Sequence, residues 1–266
     1  ASVTDGMKAG HGFPFDSNGM KVRYPDVFFS QFTGAELVAD KWNLSRQDLD
    51  EFAFESHQKA AHATETKYFD REILPVKGKN AEGINDMVIA DEGIRFDASL
   101  DKLAGLNPVT EGGVITAGNA SQITDGAAAV LICNNAGLKK IQSNPRAEIV
   151  SISVVGDDPV FMLTGPIPAS IKALKTANLS IDDIDLYEVN EAFAPVPLAW
   201  AEELKADRSK LNVNGGAMAL GHPLGATGAK LMTTLLHEME RRESTYGLQA
   251  ICEGGGTANA TIIKRL

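Results

Sequence analysis

The 266-residue chain carries 44% apolar and 23% charged residues, with 25 glycines, 11 prolines and only two cysteines, Cys133 and Cys252. That composition excludes a disordered or collagen-like chain, no apolar run approaches the about 18 residues a membrane span needs, and Ala1–Gly12 lacks the pattern of a secretion signal. A net charge of −10 with scattered Lys and Arg argues against a nucleic-acid partner, and two cysteines are too few for a disulfide framework, so a reducing, cytoplasmic setting is expected, with an organelle left open.

Residues 1–106 hold most of the aromatics and many charges, and the pattern predicts an accessory, partly helical layer. Thr33 and Glu36 suggest a capping box opening a helix through Leu37, Val38 and Trp42; Ser45 and Asp48 repeat the device. In the second helix Leu49, Phe52, Ala53, Ser56 and Ala60 recur at spacings of three and four, which predicts one buried stripe. From Asn107 onward small residues dominate. A Gly-rich turn from Thr116 precedes a predicted strand, Ala127–Cys133, in which Cys133 is expected to be buried and inert.

Predicted strands at 147–155, 184–189, 212–214, 248–252 and 257–265 then alternate with helices at 168–177, 191–204 and 223–242. Such alternation implies an α/β fold, a mixed sheet with helices on both faces.

Three polar residues stand where a strand hands over to a turn or helix, the edge at which open α/β sheets bind ligands: Asn190, His222 and Cys252. Each has a plain reading beside the functional one. Asn190 could be a helix N-cap, His222 a structural histidine, and Cys252 a buried inert thiol. Against this, glycines 215, 216, 221, 225 and 228 surround His222, and Cys252 faces the triple glycine 254–256, whose N–H groups can form an anion-binding turn. No P-loop, dinucleotide fingerprint, zinc spacing or Gly-x-Ser-x-Gly elbow is present, so no metal is expected.

Taken in order, the segments Val-Asn190-Glu-Ala-Phe-Ala, Gly-His222-Pro-Leu-Gly-Ala-Thr-Gly and Cys252-Glu-Gly-Gly-Gly, together with Gly118-Asn-Ala-Ser121, resemble the thiolase family of 3-ketoacyl-coenzyme A enzymes. The resemblance covers the whole chain. It implies layered, mixed sheets in two similarly wound halves, divided here as a loop (lid) domain at 1–106, the incomplete end of the N-terminal core at 107–146, and the C-terminal core at 147–266. Carried over by residue, it makes Cys252 an acid/base whose pKa is tuned toward neutral by nearby donors. His222 would activate the nucleophile and, with Asn190 and a water, stabilise an enolate; Gly254 would serve a second oxyanion hole. Ser121 and Arg95 would meet coenzyme A, and Phe193 and Met162 would line the acyl pocket. Acetyl-CoA and coenzyme A would be substrates, with no tightly bound cofactor, and the protein would be a homodimer or homotetramer.

The family's nucleophilic cysteine lies ahead of the loop domain, and neither Cys133 nor Cys252 can replace it. The chain is therefore expected to be inactive alone and to correspond to a fragment, one part of a split enzyme completed by an N-terminal segment, or a natural truncation. A non-catalytic coenzyme A-binding or assembly subunit is the alternative.

Overall fold

A computed structural model describes residues 8–79, 83 and 85–266. The N-terminal part is helical: α1 (Asn18–Arg23), α2 (Gln31–Lys41) and α3 (Arg46–Glu65), followed by an antiparallel ribbon of β1 (Val76–Lys79) and β2 (Asn85–Val88) and by α4 (Leu100–Ala104). The Ser45–Asp48 box caps α3 as expected, and its stripe from Leu49 to Ala60 is buried. Burying Leu49 and Phe52 contributes roughly 1.5–3 kcal/mol each, and Phe52→Ala would cost about 3–5 kcal/mol. The expected Thr33–Glu36 box is not used. Ser30 caps α2 by accepting from the Phe32 N–H, because the Glu36 carboxylate instead accepts from the backbone N–H groups of Val114 and Ile115.

The predicted strand Ala127–Cys133 does not form. Residues 121–134 lie outside any helix or strand, with no ladder partner among the described residues, and Val130, Leu131 and Ile132 are exposed. A strand is stabilised by its neighbour, so an apolar, β-branched run without one stays unpaired. Cys133 is exposed with it, contrary to the buried role expected. A short helix, α5 (Asn135–Ile141), follows.

The remaining elements are β3 (Ala147–Gly156), α6 (Pro166–Ala177), β4 (Leu186–Val189), α7 (Pro195–Leu204), α8 (Ala217–Leu220), α9 (Thr227–Arg242), β5 (Tyr246–Cys252) and β6 (Thr257–Arg265). The sheet order is β3-β6-β5-β4, with β6 antiparallel to both neighbours and β4 parallel to β5. Side chains alternate across it. Ala258, Ala260 and Ile262 join the core that holds α6 and α7, while Ile263 and Leu186 pack with Leu235 and Met239 of α9 on the other face. Helices thus cover both faces, as the alternation implied. The expected strand 212–214 is reduced to isolated bridges, Leu211 with Tyr187 and Val213 with Gly215. Helix α6 starts at Pro166 rather than Pro168, using a proline whose missing N–H costs nothing at that position. All residues from Pro195 to Ala201 are buried, which makes α7 a central layer.

Candidate active site

Strands β4 and β5 run parallel and in register, so their C-terminal ends deliver residues to one edge: Asn190 just beyond Val189, and Cys252 at the end of β5. The Asn190 N–H donates to the Ala250 carbonyl at 3.0 Å. His222 reaches the same edge from a loop turned by Gly221, whose φ of +80° and whose space, where a Cβ would lie 2.4 Å from Thr124 Oγ1, both require glycine. A cavity of about 400 Å3 opens there, lined by Gln31, Met162, His222, Cys252, Glu253 and Gly254 among others. Asn190 is only 1% exposed, and meets the site through its Nδ2, 3.4 Å from His222 Nε2.

Proton counting fixes the histidine. Thr227 has one hydroxyl proton and donates it to the Pro223 carbonyl at 2.9 Å, so at its 2.7 Å contact with His222 Nδ1 the hydroxyl must accept. His222 therefore carries its proton on Nδ1, and the Nε2 lone pair faces the Asn190 amide. Burial, helped by the Lys230 charge, lowers the His222 pKa and keeps the ring neutral, the form a general base needs. The thiol behaves differently from expectation. Burial, with the Glu253 charge adding, pushes Cys252 up to about 12, not toward neutral. At rest Cys252 is an acid.

A buried network holds this edge. Helix α7 begins at Pro195, four residues later than predicted, so its N-cap is Ala194 and the N-cap reading of Asn190 does not hold. The intervening loop pairs with the Gly118–Ser121 segment: Ser121 N–H donates to Ala192 O and Ala194 N–H to Asn119 O, both at 2.9 Å. Glu191, 1% exposed, accepts from Ser56 Oγ at 2.7 Å, Asn212 Nδ2 at 2.9 Å and Met218 N–H at 3.2 Å. Burial raises its pKa and these donors oppose the shift. Helix α3 is thereby tied to the Asn190 loop. The helix after His222 also starts late, at Thr227 instead of Pro223, and the Pro223 carbonyl accepts from the Ala226 and Thr227 N–H groups as well as from the Thr227 hydroxyl.

The profile of the thiolase C-terminal domain matches residues 143–265, and that of the thiolase N-terminal domain matches residues 18–136. The chain belongs to the thiolase family. A steroid 3-ketoacyl-CoA thiolase of Mycobacterium tuberculosis, FadA6, is 52% identical over 99% of this chain and 65% of its own length. A 3-ketoacyl-CoA thiolase of Yersinia pestis is 47% identical, covering 87% of the chain and 61% of the relative. Among solved structures, an acetyl-CoA acetyltransferase of Bacillus anthracis aligns with a TM-score of 0.86 at 40% identity, over 91% of this chain and 61% of that one. Human mitochondrial 3-ketoacyl-CoA thiolase in complex with CoA aligns at 0.81 and 42% identity, over 88% and 58%. The chain thus has the thiolase α/β fold and spans about three fifths of the length of these relatives.

Of the residues expected at a thiolase site, Met162, His222, Cys252 and Gly254 line the cavity and Asn190 supports it. Phe193 does not line it: the residue is buried, its ring edge-on to Phe32 at 5.4 Å, because the bridge to Ala120 turns it inward. Ser121 is half-buried in that bridge region. Arg95 is exposed and tied by its backbone N–H to His57 Nδ1 at 3.1 Å, away from the cavity lining. Sequence reasoning missed Gln31 on the cavity wall, Thr227 behind His222, and Gln122, whose carbonyl accepts the His222 N–H at 3.1 Å. Only Thr227, in the Gly-His-Pro-Leu-Gly-Ala-Thr-Gly run, had a signal to follow. Among the described residues no helix is long and apolar enough to cross a membrane, and no group of three or more His, Cys, Asp and Glu is arranged to hold a metal.

Proposed function

We propose that this chain carries the acid/base half of a thiolase, catalysing thiolytic cleavage of 3-ketoacyl-CoA to acetyl-CoA and a shortened acyl-CoA, or the reverse condensation. The observation that carries the reading is the convergence of Cys252 and the neutral His222 ring on one cavity, with the Asn190 amide against its Nε2. His222 Nε2 takes the proton of a nucleophilic cysteine, and that thiolate adds to the 3-keto carbon. The C2–C3 bond breaks, its electron pair enters the thioester enolate, and Cys252 Sγ–H protonates C2 to release acetyl-CoA. The Cys252 thiolate then takes the proton of an incoming coenzyme A thiol, whose sulfur displaces the enzyme thiolate from the acyl group. A thiol that rests protonated suits this cleavage direction. The imidazolium N–H and a water on Asn190 stabilise the enolate oxygen, and the Gly254 N–H the acyl-enzyme oxygen.

In this reading Cys252 is the acid/base thiol and the nucleophilic thiolate belongs to a further cysteine, which an added N-terminal thiolase segment brings to the assay. Coenzyme A and acyl-CoA are substrates, Ser121 and Arg95 serve the pantetheine and nucleotide ends, and the assembly is a dimer or tetramer. In the complemented protein, Cys252→Ala or His222→Ala lowers thiolysis by orders of magnitude; an effect below tenfold removes that residue from the mechanism. Linear and ring-bearing 3-ketoacyl-CoA substrates, assayed side by side, identify the acyl class.

A further inference from the structure

Behind the reaction cavity, between β4 and β5 and the first turns of α9, lies a second polar layer that the mechanism leaves unused. Glu188, 2% exposed, projects from β4 on the same face as Leu186, toward α9, and stands in register with Gln249 of β5. Glu188 and Asn190 line a cavity of about 10 Å3 together with Thr227, Lys230 and Thr234, the size one water needs. Two buried acceptors in this region have no donor among the described residues, Asn190 Oδ1 and Gln249 Oε1. Leaving a buried amide oxygen unpaired forfeits its hydration with nothing in return, so both demand a hydrogen from somewhere.

We propose that Glu188 is a positioning residue for the thiolase reaction and that, with one water held in this cavity, it supplies the hydrogen bond that fixes the Asn190 amide. Resting on the thiolase reading of Asn190, the inference explains how Nδ2, and not Oδ1, is presented to His222 Nε2. Fixing Oδ1 on the cavity side forbids the amide flip that would set a lone pair against a lone pair. Burial, together with the nearby Glu191 charge and against the Lys59 and Lys230 charges, raises Glu188 well above the usual carboxylate range, which favours the acid form that can donate.

A high-resolution crystal structure of the unmodified chain tests the water site without any need for turnover, so its outcome is separate from that of the thiolase assay. The expected result is one ordered water within hydrogen-bond distance of both the Glu188 carboxyl and Asn190 Oδ1; an apolar void or an Asn190 flipped toward the cavity overturns the proposal. The 15N shift of His222 Nε2 reads the positioning. Glu188→Gln, which keeps a donor, leaves it unchanged, whereas Glu188→Leu moves it as the Asn190 donor is lost. An unmoved shift in folded Glu188→Leu overturns the proposal. An infrared carbonyl band of a protonated carboxyl at pH 7 should vanish in Glu188→Gln, and its absence from the parent equally overturns it.

Discussion

Replacing Thr227 by valine keeps the shape of the side chain and removes the hydroxyl that holds His222. Two buried bonds go with it, the 2.7 Å contact to Nδ1 and the 2.9 Å donation to Pro223. Left as it is, the Nδ1–H becomes an unsatisfied buried donor at a cost of about 1–3 kcal/mol. The ring can escape by moving the proton to Nε2, but that nitrogen then points an N–H at the Asn190 Nδ2, itself a donor, and loses the lone pair needed to deprotonate a thiol. A penalty of this size lowers the productive tautomer, and with it kcat for thiolysis, by about 5- to 150-fold. Thr227→Ser keeps the hydroxyl and should stay within a few-fold of the parent. Steady-state thiolysis in the complemented protein measures the first effect, and the 15N shifts of the His222 ring, recorded on the labelled chain, measure the second. The reasoning fails if Thr227→Val retains activity within twofold, or if its ring still carries the proton on Nδ1.

Further outcomes follow from the same geometry. Burial, with the Asp91 charge adding, pushes Glu72 up to about 7, above its ordinary 4.5, so the folded chain binds this proton more tightly than the unfolded one. Its contribution to stability is complete below about pH 4.5 and is lost as pH rises through 7; Glu72→Gln should therefore be more stable than the parent at pH 8 by up to about 3 kcal/mol and equal to it at pH 4.5, and parallel urea-unfolding profiles would contradict this. Gly216→Ala would set a Cβ 2.2 Å from Glu191 Cδ and break the buried carboxylate away from Ser56, Asn212 and Met218. A loss of about 3 kcal/mol in unfolding free energy is expected, and a loss under 1 kcal/mol would show that Glu191 repacks freely. Iodoacetamide at pH 8 should label the exposed Cys133 long before Cys252, whose thiolate fraction is about one in ten thousand at its raised pKa of about 12. Peptide mapping that finds Cys252 modified first would overturn the protonated resting state.

The C-terminal sheet was readable in the sequence because its elements carry strong local signals. The β-branched run 257–265 fixed β6 to the residue, and the stripe from Leu49 to Ala60 fixed the buried face of α3. Boundaries slipped where a side chain was claimed from far away. Glu36 looked like a cap but binds backbone 78 and 79 residues distant, and Asn190 looked like a cap while the backbone beyond it pairs with Ser121 before α7 starts. The strand at 127–133 failed for the complementary reason: its composition suits a sheet, but strand identity depends on a neighbour that local sequence does not contain. Asn190 and Cys252 were visible as strand-end residues, and His222 through the glycines around it. Gln31 and Glu188 were not, since a glutamine at a helix start and a glutamate in an apolar strand announce nothing until the fold sets them against a cavity.

The central claim is that Cys252 and His222 are the acid/base thiol and the general base of a thiolase site. Coenzyme A-dependent loss of a 3-ketoacyl-CoA, followed with the chain alone and then with an added N-terminal thiolase segment bearing a cysteine, tests it most directly. The expected result is turnover in the presence of the added segment and its collapse when Cys252 is replaced by alanine. Complemented turnover indifferent to Cys252 would contradict it.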